Sequence, residues 1–170
     1  MTKEQEGKII DDIITALGTY ALGNIKDSRN IYKPPVNINM MIATFILCSC
    51  FIDQMAQIRF YKESGLGDRF RKFVKKYFDS RYKPRKLYDS LRSRLVHNYS
   101  VRGKYWLADD RKYKHLEPVN GRIYLNIDDF ISDIEIVWEK FKKDLLTDAD
   151  TRQHAILHEG DYPILKEGSI

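Results

Sequence analysis

Cysteine is scarce in this chain: Cys48 and Cys50 are the only two in 170 residues. A Cys-x-Cys pair on a helix points its thiols to opposite sides, so no bridge between them is expected. That scarcity excludes a disulfide framework, and with no third or fourth ligand at metal spacing it excludes a cysteine-built zinc site. The four histidines, His97, His115, His154 and His158, form no cluster with nearby acids that resembles a metal centre. Neither metal nor cofactor is expected. Long apolar runs are missing too. The longest, Met40 to Ile52, carries Thr44 and Ser49 and is too short to span a bilayer, so a buried core helix is expected there and no membrane. Met1 to Glu6 is polar and acidic where a secretory leader needs a basic and then an apolar stretch. These absences point to core cysteines in a reducing, cytoplasmic setting. There is no internal repeat and no low-complexity segment.

What is present suits one globular domain: apolar residues make up 43% of the chain and charged residues 31%. The formal charge of +5 is unevenly spread. Residues 59–94 hold thirteen Lys/Arg against four Asp/Glu, a net of +9, which leaves the remainder at −4. A basic block of this kind attracts phosphate, or it is a set of solvated helix faces.

The pattern predicts helices. Thr2, with Gln5 three residues on, reads as a capping box opening a first helix to about residue 24, closed by Gly23. Residues 25–36 read as a loop. Asn37 or Asn39 starts a second helix, apolar nearly all round as far as Ile52 and then polar at Asp53, Gln54 and Gln57; it belongs at the centre of a bundle. Asp68 opens a short helix with Phe70, Phe73, Val74 and Tyr77 inward. Pro84 suits the first position of the next helix, which ends near Asn98. Residues 101–126 change character. Tyr105–Leu107 and Arg122–Leu125 read as strands, and Asn120-Gly121 is a hairpin signal that lets Glu117–Val119 pair across it. Asp128 then caps a last long helix to about Leu146, with Phe130, Ile131, Ile134, Val137, Trp138, Phe141 and Leu145 buried. Residues 148–170, at −3, read as a flexible acidic tail.

The chemistry concentrates in Leu91-Arg92-Ser93-Arg94-Leu95-Val96-His97-Asn98-Tyr99. Arginine offers a permanently charged planar fork for phosphate oxygens, and histidine moves protons near neutral pH. On an ideal α-helix Leu87, Tyr88, Leu91, Leu95, Val96 and Tyr99 span one apolar arc with Arg92 inside it, while His97 falls about 140° away. A guanidinium on a core-facing arc must be paired or line a cleft. Two routes would bring Arg92 and His97 together: a helix that frays before His97, or a second copy of the chain completing the site. The plainer alternative is that Arg92 bridges to Asp53 and locks the bundle, with His97 interacting with the helix C-terminus.

Arg92-x4-His97-x-Tyr99 resembles the signature of the HEPN superfamily, all-helical domains many of which are metal-independent ribonucleases. Ser93 stands where that family usually has a polar residue, often asparagine. The resemblance implies an all-α, HEPN-like bundle of four to five helices over residues 1–147, with a small β-hairpin insertion at about 103–126. It implies Arg92 and His97 as catalytic, with Ser93, Asp53 and Tyr99 supporting them, and a homodimer whose two motifs share one cleft. The Arg-x4-His-x-Tyr form is similar to HEPN toxins paired with a nucleotidyltransferase-type antitoxin, in which the tyrosine is a site of adenylylation; Tyr99 would take that role. The function implied is an endoribonuclease that cleaves RNA by 2′-hydroxyl attack, with Arg94, Arg102 and Lys104 drawing in the RNA backbone. The alternative is a non-catalytic HEPN-like module that binds a nucleotide, RNA or protein.

Overall fold

The Thr2 hydroxyl accepts from the Gln5 amide, and the Gln5 side chain accepts from the Thr2 amide at 2.8 Å, the capping box its sequence predicts. A computed structural model of the protein describes residues 1–31, 38–63, 65–98 and 103–161. From Thr2 the first helical run goes through α1 (Lys3–Thr15), a π-helical segment (Ala16–Ala21) and α2 (Leu22–Ile31). Gly23 does not end it, and residues 25–31 are helix rather than loop. Tertiary contacts override the local breaker signals. Ile25 is buried, the Ser28 hydroxyl bonds to the Ile25 carbonyl at 2.8 Å and lies 3.0 Å from the Thr44 hydroxyl, and Arg29 Nη2 donates to Asp128 Oδ2 at 2.9 Å. Residues 32–36 of the expected loop lie outside the described residues.

Helix α3 (Ile38–Arg59) is the axis of the molecule. It packs on α2, on α4 (Leu66–Tyr77), on the helical run 84–98 and on the two helices that follow the sheet, α7 (Ile127–Thr147) and α8 (Ala149–Asp161). Met41–Arg59 has the length and mean hydropathy of a membrane span, but 61% of it is buried inside the bundle, as an apolar-all-round core helix should be. Phe45, Ile52, Met55 and Ile58 from α3 meet Phe70 and Phe73 from α4 and Phe130, Ile134 and Phe141 from α7 in one core. The inward residues expected on α4 and α7 are all buried. Cys48 is in this core, where burial pushes its thiol far up; Cys50, also expected inside, is exposed. It sits on the flank of α3 that the bundle leaves open.

Residues 84–98 form α5 (Pro84–Leu87, with Pro84 in the first turn), a second π-helical segment (Tyr88–Leu95) and a last α turn, α6 (Val96–Asn98). Next come β1 (Tyr105–Ala108), β2 (Pro118–Val119) and β3 (Arg122–Asn126). The β2–β3 hairpin turns at Asn120 and Gly121, both with positive φ (49° and 76°), as a tight two-residue turn demands. All three expected strands form, and what the sequence did not indicate is their arrangement: β1 pairs parallel to β3, giving the order β1-β3-β2. Asn126, not Asp128, caps α7, its side chain accepting from the amides of Asp128 and Asp129 at 3.0 and 3.1 Å. Asp128 is taken by Arg29.

The protein is thus a mainly helical bundle, six helical runs among the described residues, with a small three-stranded sheet. One boundary needs correction. Residues 149–161 are not a flexible tail but α8, docked on α1, α3 and α7. Asp148 accepts from the Thr151 amide at 2.9 Å, and Thr151 and Ala155 are fully buried. Small side chains four residues apart let the helix approach closely, so it needs none of the large apolar stripe that would have marked it in the sequence. Residues 162–170 lie outside the described residues.

Candidate functional site

The π-helical winding decides the geometry of the motif. In a π-helix the backbone bonds run from i to i+5 and the turn widens to about 4.4 residues, so residues five apart share one face, roughly 50° apart. The Val96 amide donates to the Leu91 carbonyl in that register. Arg92 and His97 are five apart, and Arg92 Nη1 lies 3.0 Å from His97 Nε2. The 140° separation of an ideal α-helix does not apply. The two side chains meet within one chain, neither through a frayed end nor through a second copy.

Asp53, one helix away on α3, fixes the other edge of the guanidinium. Arg92 Nε donates to Asp53 Oδ2 at 3.0 Å, and Gln57 Nε2, one turn along α3, lies 3.4 Å from the same oxygen. Asp53 Oδ1 is buried with no hydrogen-bond partner among the described residues. Exposure rises outward along this chain of contacts: the side chain of Asp53 is 7% exposed, that of Arg92 19%, and His97 is at the surface. A guanidinium has only donors, so the Arg92–His97 contact requires an unprotonated Nε2 as acceptor. The neutral ring then carries its proton on Nδ1. A buried carboxylate orients an arginine, and the arginine holds a surface imidazole through its Nε2 lone pair. That arrangement suits phosphate binding by one partner and proton transfer by the other.

The other expected residues divide. Ser93 is half-buried, and no hydrogen bond joins it to Arg92 or His97 among the described residues. Tyr99 and Arg102 lie outside the described residues. Arg94 and Lys104 do come together, but not with Arg92 and His97. They line a cleft of about 560 Å³ between the π-helical segment and the hairpin, with Asp89, Ser90, Gly103, Asn120, Gly121 and Arg122. Arg122 was not singled out in the sequence, where only the strand pattern around it carries a signal.

Cys50 is a neighbour that sequence reasoning missed. Desolvation pushes its thiol above the ordinary value, the Arg92 charge pulls it down and Asp53 pushes it up again. It therefore rests as a thiol, not a thiolate nucleophile. Its spacing of three from Asp53 on one helix was the available signal.

A second polar cluster ties the sheet layer to the bundle. Tyr82 Oη donates to Asp133 Oδ2 at 2.7 Å and lies 3.0 Å from His115 Nε2, while the Asn126 amide donates to His115 Nδ1 at 3.2 Å. Burial pushes the Asp133 carboxyl up, but hydrogen bonds from His115 and Tyr82 outweigh it and hold the group below its ordinary value. Tyr82 is raised by burial and by the Asp133 charge, so it stays a phenol. With Tyr82 buried and bonded to both helix and sheet layers, this cluster is a structural joint. No group of three or more metal-ligating side chains gathers among the described residues.

Compared with family models, curated proteins and solved structures, the chain matches none of them.

Proposed function

We propose that the protein is a HEPN-like, metal-independent endoribonuclease. The observation that carries this reading is the 3.0 Å contact between Arg92 and His97, with Arg92 anchored on Asp53. Substrate phosphate would draw the Nη1 edge of Arg92 onto its oxygens and release His97 Nε2. The freed nitrogen takes the proton of the ribose 2′-hydroxyl. The 2′-oxygen then attacks the adjacent phosphorus, the bond to the 5′-oxygen breaks, and a proton is delivered to that leaving oxygen. The products are a 2′,3′-cyclic phosphate and a 5′-hydroxyl. One histidine cannot act as base and acid at the same moment, and a homodimer would bring a second one to a shared cleft. The Arg-x4-His-x-Tyr pattern supports a toxin or defence role with a nucleotidyltransferase-type antitoxin that modifies Tyr99.

The test is cleavage of single-stranded RNA by the purified protein in chelator. Activity should be present, should leave cyclic phosphate ends, and should vanish in His97→Ala and Arg92→Ala. Equal activity in the variants, or none in any of the three, sinks the reading.

The non-catalytic reading has its own observation. A guanidinium held by a buried carboxylate is also a bundle lock, and the basic cleft beside the hairpin is large enough for a small ligand. Under that reading the chain binds nucleotide or RNA and leaves it intact.

A further inference from the structure

We propose that the cleft between the π-helical segment and the β2–β3 turn binds the phosphate and ribose of a nucleotide unit. Neither Arg92 nor His97 lines it. The same π-helical winding builds both places. Asp89 and Arg94 are five residues apart within Tyr88–Leu95, a spacing that the wider π-helical turn keeps on one face, and both line the cleft wall.

The opposite wall is held rigidly. Gly103 packs so closely on Ser90 that a Cβ there would stand 2.3 Å from the Ser90 hydroxyl and 3.0 Å from its Cα. Ser90 Oγ in turn accepts from the amide of Lys104 at 2.9 Å, which fixes the residue that carries the Lys104 ammonium. Arg122 is set by its pairing with Val119 across the Asn120-Gly121 turn. Lys104 and Arg122 are both exposed, and neither has a carboxylate partner among the described residues. Two uncompensated cations, with Arg94 beside them, face a cavity of about 560 Å³, a size typical of small-ligand sites. That charge and size select a phosphate group with something attached. Asp89, in no ion pair among the described residues, and the Asn120 side chain offer acceptors for ribose hydroxyls and donors for a base edge.

The phosphate and ribose have two sources, a free mononucleotide or a segment of an RNA strand, and the strand arm rests on the ribonuclease reading. Binding is therefore measured on full-length His97→Ala, which cannot cleave under that reading. A labelled single-stranded RNA of about 12 nucleotides is followed by fluorescence anisotropy, with adenosine 5′-monophosphate as competitor and as a separate titrant. Lys104→Glu/Arg122→Glu should weaken binding at least about tenfold. It should also flatten the dependence on salt by roughly 0.7 in log–log slope for each lost phosphate contact. The charge-matched control Lys75→Glu/Lys143→Glu, on exposed residues that do not line the cleft, should change binding less than about twofold, with both melting temperatures near the parent's.

Competition by the mononucleotide identifies a free nucleotide as sufficient; binding of the strand alone identifies the strand. Equal losses in the two double variants, or binding of neither ligand, overturns the proposal. If the cleft variant loses binding as expected while unmutated protein fails to cleave RNA, the cleft stands and the ribonuclease reading falls.

Discussion

Arg92 Nη1 and His97 Nε2 are 3.0 Å apart although the residues are five positions apart in the chain. In an α-helix this spacing points side chains about 140° apart; the wider π-helical turn narrows that to roughly 50° and puts both on one face. The same arginine holds Asp53 through Nε, so one planar group joins a buried acid to a surface base.

His97 is exposed and on the last helical turn before residue 99, so its removal should not unfold the protein. His97→Ala should change stability by less than about 0.5 kcal/mol. RNA cleavage should fall by roughly 10²–10⁴, as for loss of a general acid or base. A thermal melt and a cleavage time course on the same preparation check both halves.

Arg92→Ala should behave differently. It leaves the Asp53 carboxylate buried and unpaired, which costs about 3 kcal/mol, the low end for breaking a buried pair because Arg92 keeps some contact with solvent. Asp53→Asn combined with Arg92→Ala should recover a good part of that loss, since no charge is then stranded. Urea denaturation of the two variants decides it; equal instability would remove Asp53 from this account.

Gly103→Ala should destabilise the fold by about 1–3 kcal/mol, the usual cost of overpacking. Ser90→Ala should not rescue it, because the Ser90 Cβ already lies 2.6 Å from the position the new methyl would take. Recovery of the parent melting temperature in the double variant would show that only the hydroxyl was in the way.

His158 supplies a pH dependence. Burial lowers its pKa below 6.5, and the Arg69 charge lowers it further. The unfolded chain then binds more protons than the folded one between the folded value and 6.5, so stability is full above about pH 6.5 and is lost as pH falls below it. Denaturation midpoints at about pH 7.5 and pH 5.5 should differ in that direction, and the difference should shrink in His158→Gln.

The helical class, the central position of α3, the buried faces of α4 and α7 and the Asn120-Gly121 hairpin were legible because each rests on a local pattern of apolar spacing or turn chemistry. Helix α8 was not, because it docks through Thr151 and Ala155 and its surface is polar. Nor was residues 25–31, where Ser28 and Arg29 carry breaker signals locally but find Thr44 and Asp128 in space. The parallel pairing of β1 with β3 joins segments about twenty residues apart and leaves no mark at either one. At the site, residue types pointed to Arg92, His97 and their Asp53 anchor. The contact itself depends on backbone winding, which apolar periodicity does not report over a single turn.

That winding makes spacing and pitch two halves of one specification. A chain one residue shorter between Arg92 and His97, wound as an ordinary α-helix, would align the same pair four residues apart. The one-residue change would carry Asp89 and Arg94 along with it, because they share the turn. Deletion of Ser93 is thus a compensated change. A deletion just before Arg92 that restored α winding while leaving the spacing at five would part the arginine from the histidine. Single-residue deletions in this helix should therefore be tolerated or ruinous according to which side of Arg92 they fall.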